Sequence, residues 1–385
     1  MSSAAGGVSG VFADAIKNNL QPVQYLWDDP SVSEILINGP DDIFVERKGK
    51  LEKTTARFRS EDDLVAAVNS IAQSVGRRIN LEEPRLDARL PDGSRIHAVI
   101  PPLARCGTVV SIRKFTQSKI TFKDYIKLGA ITGDAANFLE IAMFLGKNIL
   151  VSGGTGSGKT TLLGLLCSRI PKGQRIIVIE DASELSIEYE HVVRFETRMA
   201  DERGRFEVSM RDLLKSSLRL RPDRIIVGEV RGAEGMELIQ AMNTGHKGCL
   251  GTIHANTAND AMVRLETLAM GSDAKISEKA MQYSISSAID LVVQISRLSD
   301  GSRRIVEIAE CRGLDENFNY DVVPIYRMSN LMRGADGKLA GQIEPTGEIP
   351  SFMGEIEDNK IPFPRAKFFA SGAPAGAIDK SKKPA

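Results

Sequence analysis

One eight-residue run constrains this chain more than anything else in it. Gly153-Gly-Thr-Gly-Ser-Gly-Lys159-Thr160 follows the apolar run Ile149-Leu-Val-Ser and precedes Thr161-Leu-Leu-Gly-Leu-Leu. Strand, glycine-rich loop and helix in that order match G-x-x-x-x-G-K-[ST], a loop that cradles phosphates. Glycines permit positive φ and let backbone N–H groups approach phosphate oxygens. The following helix N-terminus adds a partial positive charge at the β-phosphate position. Lys159 supplies a mobile cation for the β- and γ-phosphates, and Thr160 offers a hydroxyl to Mg2+. The candidate nucleotide contacts here are Gly153, Gly154, Thr155, Gly156, Ser157, Gly158, Lys159, Thr160 and Thr161.

The same grammar repeats around this loop. Asn148-Ile-Leu-Val-Ser, Arg175-Ile-Ile-Val-Ile, Arg224-Ile-Ile-Val-Gly and Cys249-Leu-Gly-Thr-Ile-His read as strands separated by helical stretches. Strands that alternate with crossover helices form a largely parallel sheet. Upstream the texture differs. Ser33-Glu-Ile-Leu-Ile-Asn-Gly and Asp42-Ile-Phe-Val-Glu-Arg-Lys-Gly predict two strands across a turn, and Ser94–Ile100 and Gly107–Phe115 predict two more. Leu64, Val68, Ile71 and Val75 recur at helical spacing behind Ser60, which predicts a capped helix over 61–76. The expected fold is therefore α/β, with a small α+β N-terminal domain ahead of a phosphate-loop domain with a largely parallel sheet. The expected divisions are a flexible tail over 1–21, the α+β domain over 22–116, a less regular connection over 117–135, the phosphate-loop domain over 136–350, and an extended, partly disordered tail over 351–385. Residues 345–385 hold six of the sixteen prolines, and the last fifteen residues read as disordered.

Composition excludes several alternatives. Fifty basic side chains balance fifty acidic ones, which argues against a protein whose main task is coating polyanionic nucleic acid. The four cysteines lie more than sixty residues apart and form no metal-ligand spacing, so no zinc site or disulfide framework is expected. No apolar run reaches the eighteen or so residues that would cross a bilayer, and the start lacks the order of a secretory signal. The expected compartment is the cytoplasm.

A phosphate loop binds; hydrolysis needs carboxylates that hold Mg2+ and orient water. Ile225-Ile-Val-Gly-Glu229 and Ile176-Ile-Val-Ile-Glu180-Asp181-Ala-Ser-Glu184 both place acids at strand ends, where ligands sit in such sheets. Thr160 and Glu229 are the candidate metal-holding residues. His246 and His254 flank the next strand, and each is as compatible with bracketing that strand as with touching the nucleotide.

The order of these motifs is informative. A Walker A loop, an Ile-Glu-Asp-x-x-Glu box, a Glu-terminated Walker B and a Gly-His…Thr-Ile-His-Ala-Asn-Thr box resemble the secretion ATPase superfamily, which contains type II secretion, type IV pilus and type IV secretion motors. Asp87-Ala-Arg-Leu-Pro-Asp-Gly-Ser-Arg, Ile100-Pro-Pro-Leu, Ser111-Ile-Arg-Lys-Phe, Arg221-Pro-Asp-Arg-Ile-Ile-Val-Gly-Glu-Val-Arg-Gly and Ala241-Met-Asn-Thr-Gly-His are similar to phrases of its CpaF/TadA branch, the Tad/Flp pilus motors. The resemblance spans roughly residues 26–350. It implies a RecA-like P-loop ATPase domain and a homohexamer that binds ATP and Mg2+ between its two domains. It also implies inner-membrane platform proteins as partners, no stable nucleic acid, and a peripheral position at the cytoplasmic face of the inner membrane.

Residue by residue, the resemblance assigns phosphate and Mg2+ to Lys159 and Thr160, catalytic polarisation of water to Glu184, and Walker B support to Glu229. It assigns the His box to His254 with His246, an N-terminal-domain phosphate contact to Arg113, and finger positions to Arg198, Arg211 and Arg219. Residues 199–208 are more charged than the family pattern, and the region before residue 22 is short. The function this predicts is a motor coupling Mg-ATP hydrolysis to Tad/Flp pilus assembly, with the choice between extension, retraction and both left open by the sequence. A type IV secretion traffic ATPase is the alternative within the class. A DNA-translocating RecA-like helicase and a non-catalytic nucleotide-gated scaffold are the alternatives outside it.

Overall fold

The computed structural model describes residues 20–47, 49–90, 92–114, 120–200, 204–272, 276–329, 331–334 and 337–369. The chain divides into two units, Met1–Ser118 and Lys119–Ala385. The flexible tail expected over residues 1–19 and the disordered tail expected over 370–385 lie outside the described residues.

The first unit is a six-stranded antiparallel sheet. Its strands are β1 (Val32–Asn38), β2 (Ile43–Arg47), β3 (Lys50–Lys53), β4 (Arg85–Arg89), β5 (Arg95–Val99) and β6 (Val109–Arg113), in the order β3-β2-β1-β6-β5-β4. Alternate residues of β1 and β6, among them Ile35, Ile37, Val110 and Ile112, are buried. They meet Leu64, Val68 and Ile71 from the helix Glu61–Ser74 in one core. The predicted cap holds: the Ser60 side chain accepts the Asp63 N–H at 3.1 Å. Strands β3 and β4 were not expected. β3 is exposed throughout and carries no apolar alternation, so only its pairing with β2 defines it. Leu20 is buried in this core, so the expected tail over 1–21 is already packed at its inner end.

The second unit is built on a nine-stranded sheet. Its members are β7 (Ile149–Ser152), β8 (Ile176–Glu180), β9 (Val192–Glu196), β10 (Arg224–Val227), β11 (Leu250–Ile253), β12 (Leu291–Arg297), β13 (Arg303–Leu314) and β14 (Tyr320–Met328). After a two-stranded ribbon, β15 (Met332–Arg333) with β16 (Leu339–Ala340), β17 (Ile343–Pro345) completes it. The order is β17-β14-β13-β12-β7-β11-β10-β8-β9. From β12 to β9 every pairing is parallel, and β13, β14 and β17 add on antiparallel. The four predicted central strands are all present, wholly buried, as expected of strands covered on both faces. The fold is thus mixed α/β with a small antiparallel sheet and a larger, mostly parallel one.

Two sequence expectations are corrected. The stretch 117–135, read as a less regular connection, contains the helix Phe122–Lys127, started by a capping box at Thr121 and Asp124. Phe122 and Tyr125 on that helix are buried in the second unit's core, which fixes the segment there. The stretch 351–385, read as an extended tail, packs as far as it is described. Phe352, Met353, Ile356, Phe363 and Phe368 are buried, and Phe352, Phe363 and Phe368 ring Phe138 with centroids 5.6–6.4 Å away. The helix Met353–Asp358 buries Met353 and Ile356, and after the prolines at 362 and 364 a 3-10 turn, Arg365–Phe368, buries Phe368, so short helical pieces with aromatic anchors fill this side of the core.

Candidate nucleotide site

The candidate site forms at the carboxyl ends of the parallel strands. β7 delivers the phosphate loop, and the helix Lys159–Cys167 leaves it. Gly156 and Gly158 have φ of +69° and +98°, the left-handed region that favours glycine. Gly153 is demanded by space instead. A Cβ there would stand 2.3 Å from the Ile295 carbonyl oxygen and 2.6 Å from Ser157 Oγ. The Ser157 hydroxyl in turn donates to the Gly154 carbonyl at 2.8 Å, tying the loop across its base.

Lys159 is buried, and its Nζ donates to the Gly153 and Gly154 carbonyls at 3.0 and 3.2 Å. The same ammonium stands 3.3 Å from both ring nitrogens of His254. Burial pulls the Lys159 pKa below its ordinary value, and the neighbouring Glu229 carboxylate opposes that shift. His254 sits just past β11, and its Nε2 lies 2.6 Å from Glu229 Oε1. Glu229 follows β10 and is held in register by the Thr252 hydroxyl, which donates to the Gly228 carbonyl at 2.7 Å. Gln294 on β12 donates to the carbonyls of Ala255 and Asn256 and so pins the segment after His254. Lys159, Glu229 and His254 are therefore brought together.

Glu180 behaves differently from the expectation that both strand-end acids emerge into the site. Its carboxylate is buried and accepts the backbone N–H groups of Glu184 and Leu185 at 2.8 and 2.9 Å. Burial raises its pKa, and these two hydrogen bonds oppose the rise. Glu180 thus shapes the turn that carries Glu184. Gly228 leaves room for it, since a Cβ there would meet Glu180 Cγ at 2.9 Å.

Sequence reasoning missed Arg231. Its guanidinium reaches Glu229 Oε2 at 2.6 Å and Asp181 Oδ2 at 3.1 Å, which bridges the ends of β10 and β8. The only available signal was a basic residue two positions after the Walker B acid. Oxygen donors on Thr160, Glu229 and Asp181 are of the hard type that Mg2+ takes, so the residues present fit that ion.

Other expected site residues lie elsewhere. His246 precedes β11, so it stands at the amino end of the sheet, opposite His254; its Nδ1 lies 3.2 Å from the Ala241 carbonyl oxygen. The sequence leaves each histidine open between bracketing β11 and touching the nucleotide; of the two, His254 is the one that meets Lys159 and Glu229 within this chain. Arg198 bonds the Phe206 carbonyl and lies over the Phe206 ring. Arg211 pairs with buried Glu237 at 2.6 Å. Arg219 is exposed beyond the helix Met210–Ser217, and Arg113 is exposed at the end of β6 in the first unit.

The family model described as type II/IV secretion system protein matches residues 17–326. The chain belongs to that family. Among curated relatives, this secretion-family chain is 36% identical over 294 residues to the conjugal transfer protein TrbB of Rhizobium radiobacter, which covers 75% of this chain and 87% of that protein. It is 31% identical over 320 residues to the type IV secretion system protein VirB11 of Brucella suis, which covers 76% and 89%. The crystal structure of the pilus retraction motor PilT with bound ADP shares the fold, with a TM-score of 0.53, 22% identity, and coverage of 90% and 86%. The chain thus stands with the type II/IV secretion system proteins by sequence, and the PilT structure shows the shared fold. No helix among the described residues is long and apolar enough to cross a membrane.

Proposed function

We propose that this chain hydrolyses Mg-ATP as a homohexameric motor of a Tad/Flp-type pilus and works against inner-membrane platform proteins. The observation that carries the catalytic part is the meeting of Lys159, Glu229 and His254 at one sheet edge, beside a turn that Glu180 holds in place. Phosphate oxygens would replace the Gly153 and Gly154 carbonyls as partners of Lys159 Nζ. Thr160 and Glu229 would hold Mg2+, which supplies charge neutralisation for the β- and γ-phosphates. Glu184 would orient the attacking water, and His254 would donate toward the γ-phosphate side. Arg231 sits where it can compensate Glu229 and Asp181 whenever Mg2+ is absent. The roles suggested by resemblance for Arg113, Arg198, Arg211, Arg219 and His246 belong to an assembled ring rather than to the cluster formed within this chain.

The test is ATP turnover by wild-type and Glu184→Gln protein, with mass by light scattering under Mg-ATP. We expect a six-subunit mass, with nucleotide binding kept and turnover reduced about 100-fold or more in the variant. Unchanged turnover would remove Glu184 from the mechanism. Hydrolysis by a monomer that needs DNA would favour a helicase.

A second reading has specific support, because TrbB and VirB11 are named for conjugal transfer and type IV secretion. Deleting the gene separates the two: loss of surface pilin supports the pilus motor, and loss of substrate transfer with pili intact supports the secretion motor.

A further inference from the structure

The phosphate loop has two flanks in this sheet. Glu229 and His254 meet its Lys159 from β10 and β11 on one side of β7, and the turn with Glu184 follows β8 farther along that same side. On the other side stands β12 with β13, and this flank has no part in the chemistry described above. It approaches the loop closely. The Ile295 carbonyl limits residue 153 to glycine, and Arg303 Nε donates to the Gly156 carbonyl at 2.9 Å. Arg303 Cδ lies 3.3 Å from where a Cβ on Gly158 would be, and Arg297 Nη1 lies 3.9 Å from the equivalent point on Gly156.

Arg297 and Arg303 are also direct partners across the antiparallel β12–β13 pair. Like charges placed opposite one another destabilise a strand pair. Here that pair faces a loop already carrying Lys159 and a helix N-terminus. Three cations and one positive dipole end converge on a few ångströms of backbone. A polyanion is the ligand chemistry that these cations and the helix N-terminus share.

We infer that Arg297 and Arg303 form the second wall of the nucleotide site and contact the α- and β-phosphate oxygens. Their flank assigns them the non-reacting phosphates, because the acids and the catalytic turn occupy the γ side. Arg303 has a further positioning effect. A peptide's C=O and N–H point in opposite directions, so pulling the Gly156 carbonyl outward turns the Ser157 N–H toward the loop interior. The inference rests on the reading of the loop as a nucleotide site.

The test is displacement of a fluorescent ADP analogue by ADP and by pyrophosphate at fixed Mg2+ and low salt. The proteins are wild type, Lys159→Ala, Arg297→Gln, Arg303→Gln, Arg303→Lys and the double Gln variant. Arg303→Gln keeps an amide donor for the Gly156 carbonyl, and Arg297→Gln leaves that bond intact, so loop collapse and loss of charge are separable. We expect each Gln variant to weaken ADP and pyrophosphate alike by roughly tenfold, the double variant more, and Arg303→Lys to recover part of the loss. A double variant that binds both ligands like wild type, while Lys159→Ala binds neither, overturns this inference and leaves the nucleotide site standing. Weakened ADP with unchanged pyrophosphate also overturns it, because the guanidinium groups would then act on the base. A wild-type chain that binds no ADP removes both readings.

Discussion

The imidazole of His254 stands 2.6 Å from the carboxylate of Glu229, measured from Nε2 to Oε1, on the side of the ring that also faces Lys159. The histidine is therefore shared between an acid that favours its protonated form and cations that oppose it. Burial and the charges of Lys159 and Arg231 prevail, and they hold its pKa below the ordinary 6.5.

The sign of the resulting pH dependence follows. An unfolded chain takes up this proton near 6.5, whereas the folded one resists it, so this residue's contribution to stability falls as pH drops through that value. The His254 side chain is 44% exposed, so the effect is small. Between about pH 7.5 and 5.5 the urea midpoint of wild type should fall more than that of His254→Gln. Equal slopes in the two proteins would show that the ring carries no shifted proton.

Glu180 offers a sharper contrast. Its carboxylate satisfies two backbone donors in the turn before Leu185. Glu180→Ala strands both and should cost about 2–4 kcal/mol, with turnover lost alongside. Glu180→Gln keeps an acceptor oxygen and should cost far less. Denaturant unfolding of the two variants decides whether the residue acts by holding the turn.

Arg211 is expected to matter for stability before it matters for catalysis. It is paired with Glu237, which is 4% exposed, while Lys215 is more distant at 3.7 Å. Arg211→Ala leaves a buried carboxylate with weak compensation and should destabilise the protein by about 2–4 kcal/mol. Arg211→Ala with Glu237→Gln should recover much of that loss. If the double variant unfolds as readily as the single, the pair is not what Arg211 contributes.

Phe368 tests the C-terminal packing. Its ring is fully buried and meets Phe138 edge-on at 5.6 Å. Phe368→Ala should cost about 3–5 kcal/mol, in the range for large-to-small changes in a core. Phe369, only partly buried at the edge of the same cluster, should tolerate the same change much better. Thermal unfolding of both variants gives the comparison.

The sequence made legible what depends on local chemistry. The glycine-rich loop, the Glu229 strand end, the four buried central strands and the Ser60 cap are each written within a dozen neighbouring residues. What escaped notice depends on chain segments meeting from afar. Arg231 gains meaning only when β8 and β10 stand side by side and bring Asp181 to it. Glu180 resembles any acid at a strand end until its turn folds back over it. Arg297 and Arg303 look like hairpin surface charge, because nothing local shows that β12 lies beside β7. The aromatic residues after 351 are diluted among prolines and acquire their role only against Phe138, more than two hundred positions earlier.

The position of β7 between β11 and β12 governs when the site can exist at all. Asn148, immediately before β7, accepts from the Cys249 N–H and donates to the Ala288 carbonyl, contacts that span 101 and 140 residues of chain. A refolding molecule therefore cannot shape the phosphate loop from its own neighbourhood, because both flanking strands close long loops first. Such non-local closure is slow. Competence to hold nucleotide should then return late in renaturation, after helical signal has recovered, and a ligand added early should find nothing to accelerate.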